Sequence, residues 1–337
     1  MVAKGLGTTM SVANDGTGAG PFTEPMIVPE KGYRLESFLD ASDIAALMAL
    51  YNATTLNAVS DHYNTARIAT AQTKRHLFEE VKARVECKLA VIAPGYRMYL
   101  ASFVVKKAGG KRGNLPMHAD PSVVNHGEDI GINVWVPLCD VDEENGCLHV
   151  VEYSPRFGHI AAVPPLNPSP YDGIRKELEA NYLTPVPMKA GTAFVFDTRV
   201  LHATEPNKMA ADRVALFINM TPEGKAPRHY FWNPEAPAQL DVYDVDTEFV
   251  ITLDSGGYPD AEQRAKGKFV GVIDYTPVAW TVGDLEQKLP KPLRVSARPV
   301  AAVGANATEA YGAASVAPAK TGFWSRLPKM FSSDSPR

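Results

Sequence analysis

The chain has 337 residues, 45% of them apolar and 21% charged, with 34 basic against 38 acidic side chains and a formal net charge of −4. These proportions exclude a disordered, collagenous or coiled-coil protein, and they leave no electrostatic drive toward nucleic acid. The longest unbroken apolar run, Ile44 to Tyr51, falls well short of the ~20 residues a transmembrane helix needs, so no membrane span is expected. Cys87, Cys139 and Cys147 make no Cys-x-x-Cys pair. Lys4 is followed by no apolar segment and the first arginine is Arg34, so neither a secretory signal nor a transit peptide is read and a cytoplasmic protein is expected.

Residues 1–27 contain five glycines and little that can be buried, which predicts a disordered lead-in. One folded domain is expected over residues 28–295. It begins with a helix in which Asp40 or Ser42 caps a segment carrying Ile44, Leu47, Met48 and Tyr51 at helical spacing. A second helix fits residues 74–88, with Leu77, Phe78, Val81 and Val85 on one side. After Pro94-Gly95 the pattern turns to short β segments: Arg97–Lys106, Ile130–Val141, Leu148–Tyr153, Thr192–Asp197, Val214–Met220 and Phe249–Leu253. Asn145-Gly146 between two of these runs predicts a tight hairpin turn. Helices followed by many short strands argue for a mainly β protein with flanking helices, built on a jelly roll or barrel. The segment 296–337 is read as a flexible Ala/Pro-rich tail. There Phe323, Trp324, Leu327, Met330 and Phe331 alternate with Arg326 and Lys329, suggesting a peripheral membrane or partner contact, although Pro328 breaks any helix.

Chemistry concentrates in three places. His118-Ala119-Asp120 follows a loop containing Gly109, Gly110 and Gly113, and residues two apart in extended chain share a side. His202 follows the strong strand segment Ala193–Phe196 and precedes the turn Glu205-Pro206-Asn207. Two histidines and one carboxylate leave three positions open on an octahedral ion, the facial triad of non-heme iron(II) oxygenases. Arg213, eleven residues after His202 with a chain reversal between them, offers a guanidinium fork for the far carboxylate of a metal-chelating dicarboxylate. Thr204 adds a hydroxyl donor nearby. Lys106, Lys107, Lys111 and Arg112 make the loop before the metal motif a candidate attractor of anions.

This constellation resembles the phytanoyl-CoA dioxygenase family. The matching segments are His118-Ala119-Asp120, Trp135 to Asp140, Glu144 to Leu148, Gly158-His159 and Asp197 to His202, closed by Asn207 and Arg213. The resemblance implies a double-stranded β-helix (jelly-roll) core, Fe(2+) held by His118, Asp120 and His202, and 2-oxoglutarate as cosubstrate. It further implies that Arg213 and Thr204 hold the cosubstrate carboxylate, with Trp135 lying against it. The reaction so implied hydroxylates an aliphatic C–H of a small molecule, such as an acyl thioester, an amino acid or a natural-product intermediate, using O2 and releasing succinate and CO2. Halogenases of this broad group carry a small residue where this chain has Asp120, so halogenation is not expected. Two competing readings use the same residues: a catalytically silent jelly-roll binding protein, and a zinc-type hydrolase. The hydrolase has no use for Arg213 and Thr204 at this spacing.

Overall fold

Asp40 opens the first helix. Its carboxylate accepts from the backbone N–H groups of Ser42 and Asp43, and Asp43 reaches back to the N–H of Asp40. This reciprocal cap satisfies donors that a helix start leaves orphaned. The computed structural model describes residues 27–290 except 55, 57–59, 126, 159–169, 254–257 and 277. Residues 1–26 of the expected lead-in, the expected tail, His126 and His159 lie outside the described residues. In chain order the elements begin β1 (Tyr33–Ser37), α1 (Ala41–Ala53), β2 (His62–Asn64), α2 (Thr65–Ile68), α3 (Ala71–Ile92), β3 (Tyr96–Lys106) and β4 (Leu115–His118). Next come β5 (Ile132–Pro137), β6 (Leu148–Val151), a 3-10 turn (Ser154–Phe157), α4 (Arg175–Asn181), β7 (Leu183–Val186), β8 (Thr192–Asp197) and β9 (His202–Thr204). The chain continues through β10 (Arg213–Pro222), β11 (Arg228–Trp232), β12 (Gln239–Asp244), α5 (Thr247–Thr252), α6 (Ala261–Lys266), β13 (Lys268–Asp274) and α7 (Val282–Lys288).

These strands form antiparallel sheets with the orders β1-β8-β5-β10-β3-β2, β4-β9-β6-β7 and β11-β12-β13. Alternation along the strands decides what each face of the six-stranded sheet meets. Val134, Val195, Leu216 and Ile218 turn to one side, where they join Leu77, Val81, Val85 and Leu89 of α3 in a buried core. The opposite side carries Trp135, Phe194, Phe196 and Ala215, which pack against Leu148, Val150 and Val186 of the four-stranded sheet. The result is the expected mainly β fold with flanking helices, and the face-to-face sheets are the layering that a double-stranded β-helix needs. Among the described residues no helix is long and apolar enough to cross a membrane.

Several elements depart from expectation. Phe249–Leu253 is not a strand but lies mostly in α5. The β-branched Val250, Ile251 and Thr252 suggest extended chain, yet Asp246 caps the Phe249 N–H at 2.7 Å and starts a helix that buries Phe249 and Ile251. Asn145-Gly146 makes a turn but no hairpin, since β5 pairs with β8 and β10 while β6 pairs with β7 and β9. The turn instead carries the chain from one sheet to the other. Asn145 braces it, donating to the Asp140 carbonyl at 2.8 Å and accepting from the Asp142 N–H at 2.9 Å. Gly146 is required there: its φ is +82°, and a Cβ would sit 2.5 Å from the Glu205 carbonyl oxygen. The second helix extends beyond 74–88 because Thr70 caps it earlier and Leu89 and Ile92 continue its buried stripe. Cys87 is exposed on that helix.

Candidate active site

His118 ends β4, His202 begins β9, and the two stand directly opposite each other in the antiparallel register. Their ring centroids are 4.3 Å apart. Each ring is oriented in the same manner: Nδ1–H donates to the carbonyl two residues upstream, Pro116 for His118 and Val200 for His202, both at 2.9 Å. That bond fixes the tautomer and leaves each Nε2 lone pair available as a ligand. Asp120 lies just past β4, where its backbone N–H is tied to the Thr198 carbonyl at 3.0 Å. Its Oδ1 is 3.8 Å from Nε2 of both histidines. The three potential ligand atoms lie within 4.8 Å of one another, so small side-chain adjustments bring them onto one ion. Burial, reinforced by the neighbouring His202, pulls His118 down to about 3, so at neutral pH it needs to lose no proton to bind a cation.

Arg213 heads β10 in the facing sheet, so the reversal after His202 crosses between sheets instead of forming a hairpin. Asn207, fully buried, braces this reversal by donating to the Ala211 carbonyl at 2.7 Å and accepting from Met209 N–H at 3.0 Å. The Arg213 side chain is 1% exposed and its guanidinium lies 5.3 Å from the Trp135 ring centroid. Its Nε is buried with no hydrogen-bond partner among the described residues, and so is Thr204 Oγ1. Burial draws the Arg213 pKa down to about 10, still leaving it charged at neutral pH. His118, Asp120, His202, Thr204, Arg213 and Trp135 all line one cavity of about 300 Å³ between the sheets. The structure therefore brings together every site residue expected from the sequence. Asp197, five residues before His202, is committed to Arg199 at 2.9 Å and is not part of the set.

Other residues of the site have weak sequence signals. Asn133 donates to Asp120 Oδ2 at 2.7 Å and is itself held by Asn219 at 2.9 Å. A lone asparagine inside the apolar run Ile132-Asn133-Val134-Trp135 is the clue that could have flagged it. Lys106 does not belong to a cationic loop. It is fully buried, directly opposite Arg213 in register, with its ammonium on the Gly113 carbonyl. Burial and then the Arg213 charge hold its pKa well below the ordinary lysine range. Lys107 is paired with Asp212. His62, opposite Lys106 on β2, lines the cavity with a buried, unpartnered Nε2, and burial followed by Lys106 and Arg213 takes it to about 2. Tyr99 lines the same space, its phenol pushed far above the usual range by burial and by Asp120. His229 on β11 and Val250 on α5 close the cavity from the C-terminal part of the chain. His149 does not line it.

Structural similarity extends to the non-heme α-ketoglutarate-dependent carbocyclase SnoK from nogalamycin biosynthesis, 20% identical, over 59% of this chain and 82% of that one, with a TM-score of 0.45. It extends also to HygX from Streptomyces hygroscopicus, solved with nickel, 2-oxoglutarate and hygromycin B bound, at 11% identity, 58% and 85% coverage and a TM-score of 0.42. A third is EvdO2 from Micromonospora carbonacea var. aurantiaca complexed with 2-oxoglutarate, at 17% identity, 58% and 91% coverage and a TM-score of 0.42. No curated protein matches the chain significantly. The profile of the phytanoyl-CoA dioxygenase (PhyH) family matches residues 30–215, which is more than half of the chain and includes the His–Asp–His set, Thr204 and Arg213. The chain belongs to the phytanoyl-CoA dioxygenase family.

Proposed function

We propose that this protein is an iron(II)/2-oxoglutarate-dependent dioxygenase that hydroxylates an aliphatic C–H of a small molecule. His118, Asp120 and His202 are its iron ligands. Arg213 and Thr204 hold the distal carboxylate of 2-oxoglutarate, with Trp135 beside it. The observation that carries this reading is the buried, charged Arg213, whose Nε and the Thr204 hydroxyl have no hydrogen-bond partner among the described residues and line the same cavity as the His–Asp–His set. A buried cation without a counter-charge is costly, and a dicarboxylate anchored at the metal position supplies the missing charge and acceptors.

The donor set fits iron(II): two imidazoles and one carboxylate are the ligands of the facial triad. When bound, iron(II) with 2-oxoglutarate and O2 supplies the oxidising chemistry, yielding succinate, CO2 and a hydroxylated product. The protein's own residues supply geometry. The paired β4–β9 register sets the two Nε2 atoms, and the Pro116 and Val200 carbonyls stop the rings from turning. Arg213 and Thr204 fix the far end of the cosubstrate and so its orientation. Tyr99, Phe217 and Val250 narrow the cavity and limit water around the reacting bond.

Anaerobic addition of iron(II) and 2-oxoglutarate to the purified protein tests the reading. The expected result is the visible metal-to-ligand charge-transfer band of a chelated keto acid. Well-folded, metal-loaded protein that gives no band overturns it.

A further inference from the structure

We propose that Asn133 and Asn219 form a directional hydrogen-bond relay that decides which oxygen of Asp120 faces the metal position; this rests on the reading of His118, Asp120 and His202 as ligands. A carboxylate only accepts, so the atom of Asn133 lying 2.7 Å from Asp120 Oδ2 is its amide nitrogen. That assignment turns Asn133 Oδ1 the other way, where it needs a donor, and the Asn219 amide nitrogen provides one at 2.9 Å. The polarity of the whole chain thus starts at the carboxylate. The sheet builds it: Asn133 and Asn219 are direct partners across β5 and β10. Both interrupt strands that are otherwise apolar on either side, and Asn133 is 1% exposed. An amide so deeply buried costs stability unless bonded, and here its nitrogen and its oxygen are both engaged.

The consequence falls on the metal position. With Oδ2 held by Asn133, Asp120 offers Oδ1 alone to the space shared with the two imidazoles. One-oxygen ligation keeps three positions of an octahedral ion open, whereas a carboxylate free to turn both oxygens inward would close one of them. The relay also ends in the cavity. Asn219 lines it, and with one N–H committed to Asn133 it keeps Oδ1 and its second N–H to offer a substrate. Both asparagines are positioning residues.

Cobalt(II) titration, followed by the metal's visible absorption and requiring no turnover, tests the relay in four proteins. Wild type binds cobalt. Asn133→Leu binds it about 10–100-fold more weakly, the usual cost of losing a partner behind a ligand. Asn219→Ala, a truncation at the cavity wall, weakens binding less. The double variant is no weaker than Asn133→Leu, because Asn219 acts through Asn133. Unchanged affinity in Asn133→Leu, or losses that simply add, overturns the relay. If Asn133→Leu does not fold, Asn219→Asp takes its place: it exchanges the donor for an acceptor facing Asn133 Oδ1, and wild-type cobalt affinity in that protein overturns the proposal equally. Failure of the wild type itself to bind cobalt would count against the ligand assignment, not against the relay.

Discussion

The two ends of the cavity are built on opposite principles. At the metal end the atoms behind the candidate ligands are all partnered: the imidazole Nδ1 atoms are on carbonyls, Asp120 Oδ2 is on Asn133, and Asn133 is on Asn219. At the Arg213 end, Arg213 Nε, Thr204 Oγ1 and His62 Nε2 are buried with no hydrogen-bond partner among the described residues, and no carboxylate is paired with Arg213 among them. The first end is pre-organised and rigid, ready to receive a cation. The second is left short of acceptors and negative charge, so an anionic ligand completes it. A protein can bear such a deficit only where binding repairs it, and this separates a ligand site from a core.

The sharpest way to break this comparison is Asp120→Ala. It is expected to abolish oxidation and reduce metal binding severely while leaving the fold intact; unchanged 2-oxoglutarate turnover in that variant would refute the metal end. Next in size is Arg213→Met. Loss of a charge-assisted contact should weaken 2-oxoglutarate binding by about 10–100-fold, equivalent to ~1.5–3 kcal/mol, with iron affinity little changed. Because the guanidinium is buried without a counter-ion, the same replacement should leave the ligand-free protein as stable as wild type or more so. A thermal melt showing strong destabilisation would mean that Arg213 is structural.

Acidification tests the ligand-free protein more gently. His62, His118 and His229 are held neutral, with folded values of about 2, 3 and 4 that come chiefly from burial. These values lie below the ~6.5 of an unfolded chain, so the unfolded state gains protons first as pH falls. Stability should be flat above neutrality and decline below about pH 6.5, by at most ~1.4 kcal/mol per pH unit for each histidine. His229 stops contributing near its folded value of about 4. Denaturant melts across this range would check the slope. The smallest effect belongs to Thr204→Val. Removing one neutral hydroxyl contact should weaken cosubstrate binding by a few-fold, ~1 kcal/mol, without lowering the melting temperature, since Oγ1 has no protein partner to lose.

Legibility from sequence followed the same divide. His118, Asp120, His202 and Arg213 could be read because their chemistry dictates residue type and their spacing follows strand and turn signals. The helix carrying Leu77, Val81 and Val85 could be read because burial imposes a period on it. Strand pairing could not. Nothing local to Asn145-Gly146 reports that its flanking strands join different sheets, because that choice is made by partners such as β8 and β9, ~50 residues later. The Val250-Ile251-Thr252 run misled for a related reason, as a single cap at Asp246 outweighed β-branched propensity. Asn133 and His62 were hidden because one lies in an apolar strand and the other in a strand of only three residues.

His229 and Val250 lie beyond residue 215, where the family match ends, whereas the His118, Asp120 and His202 cluster lies within it. Part of the cavity wall is thus written in a stretch of the polypeptide separate from the candidate ligands. The terminal stretch is free to vary in shape and polarity without touching a metal-binding atom, so a lineage could retarget its chemistry by remodelling one wall and leaving the furnace alone.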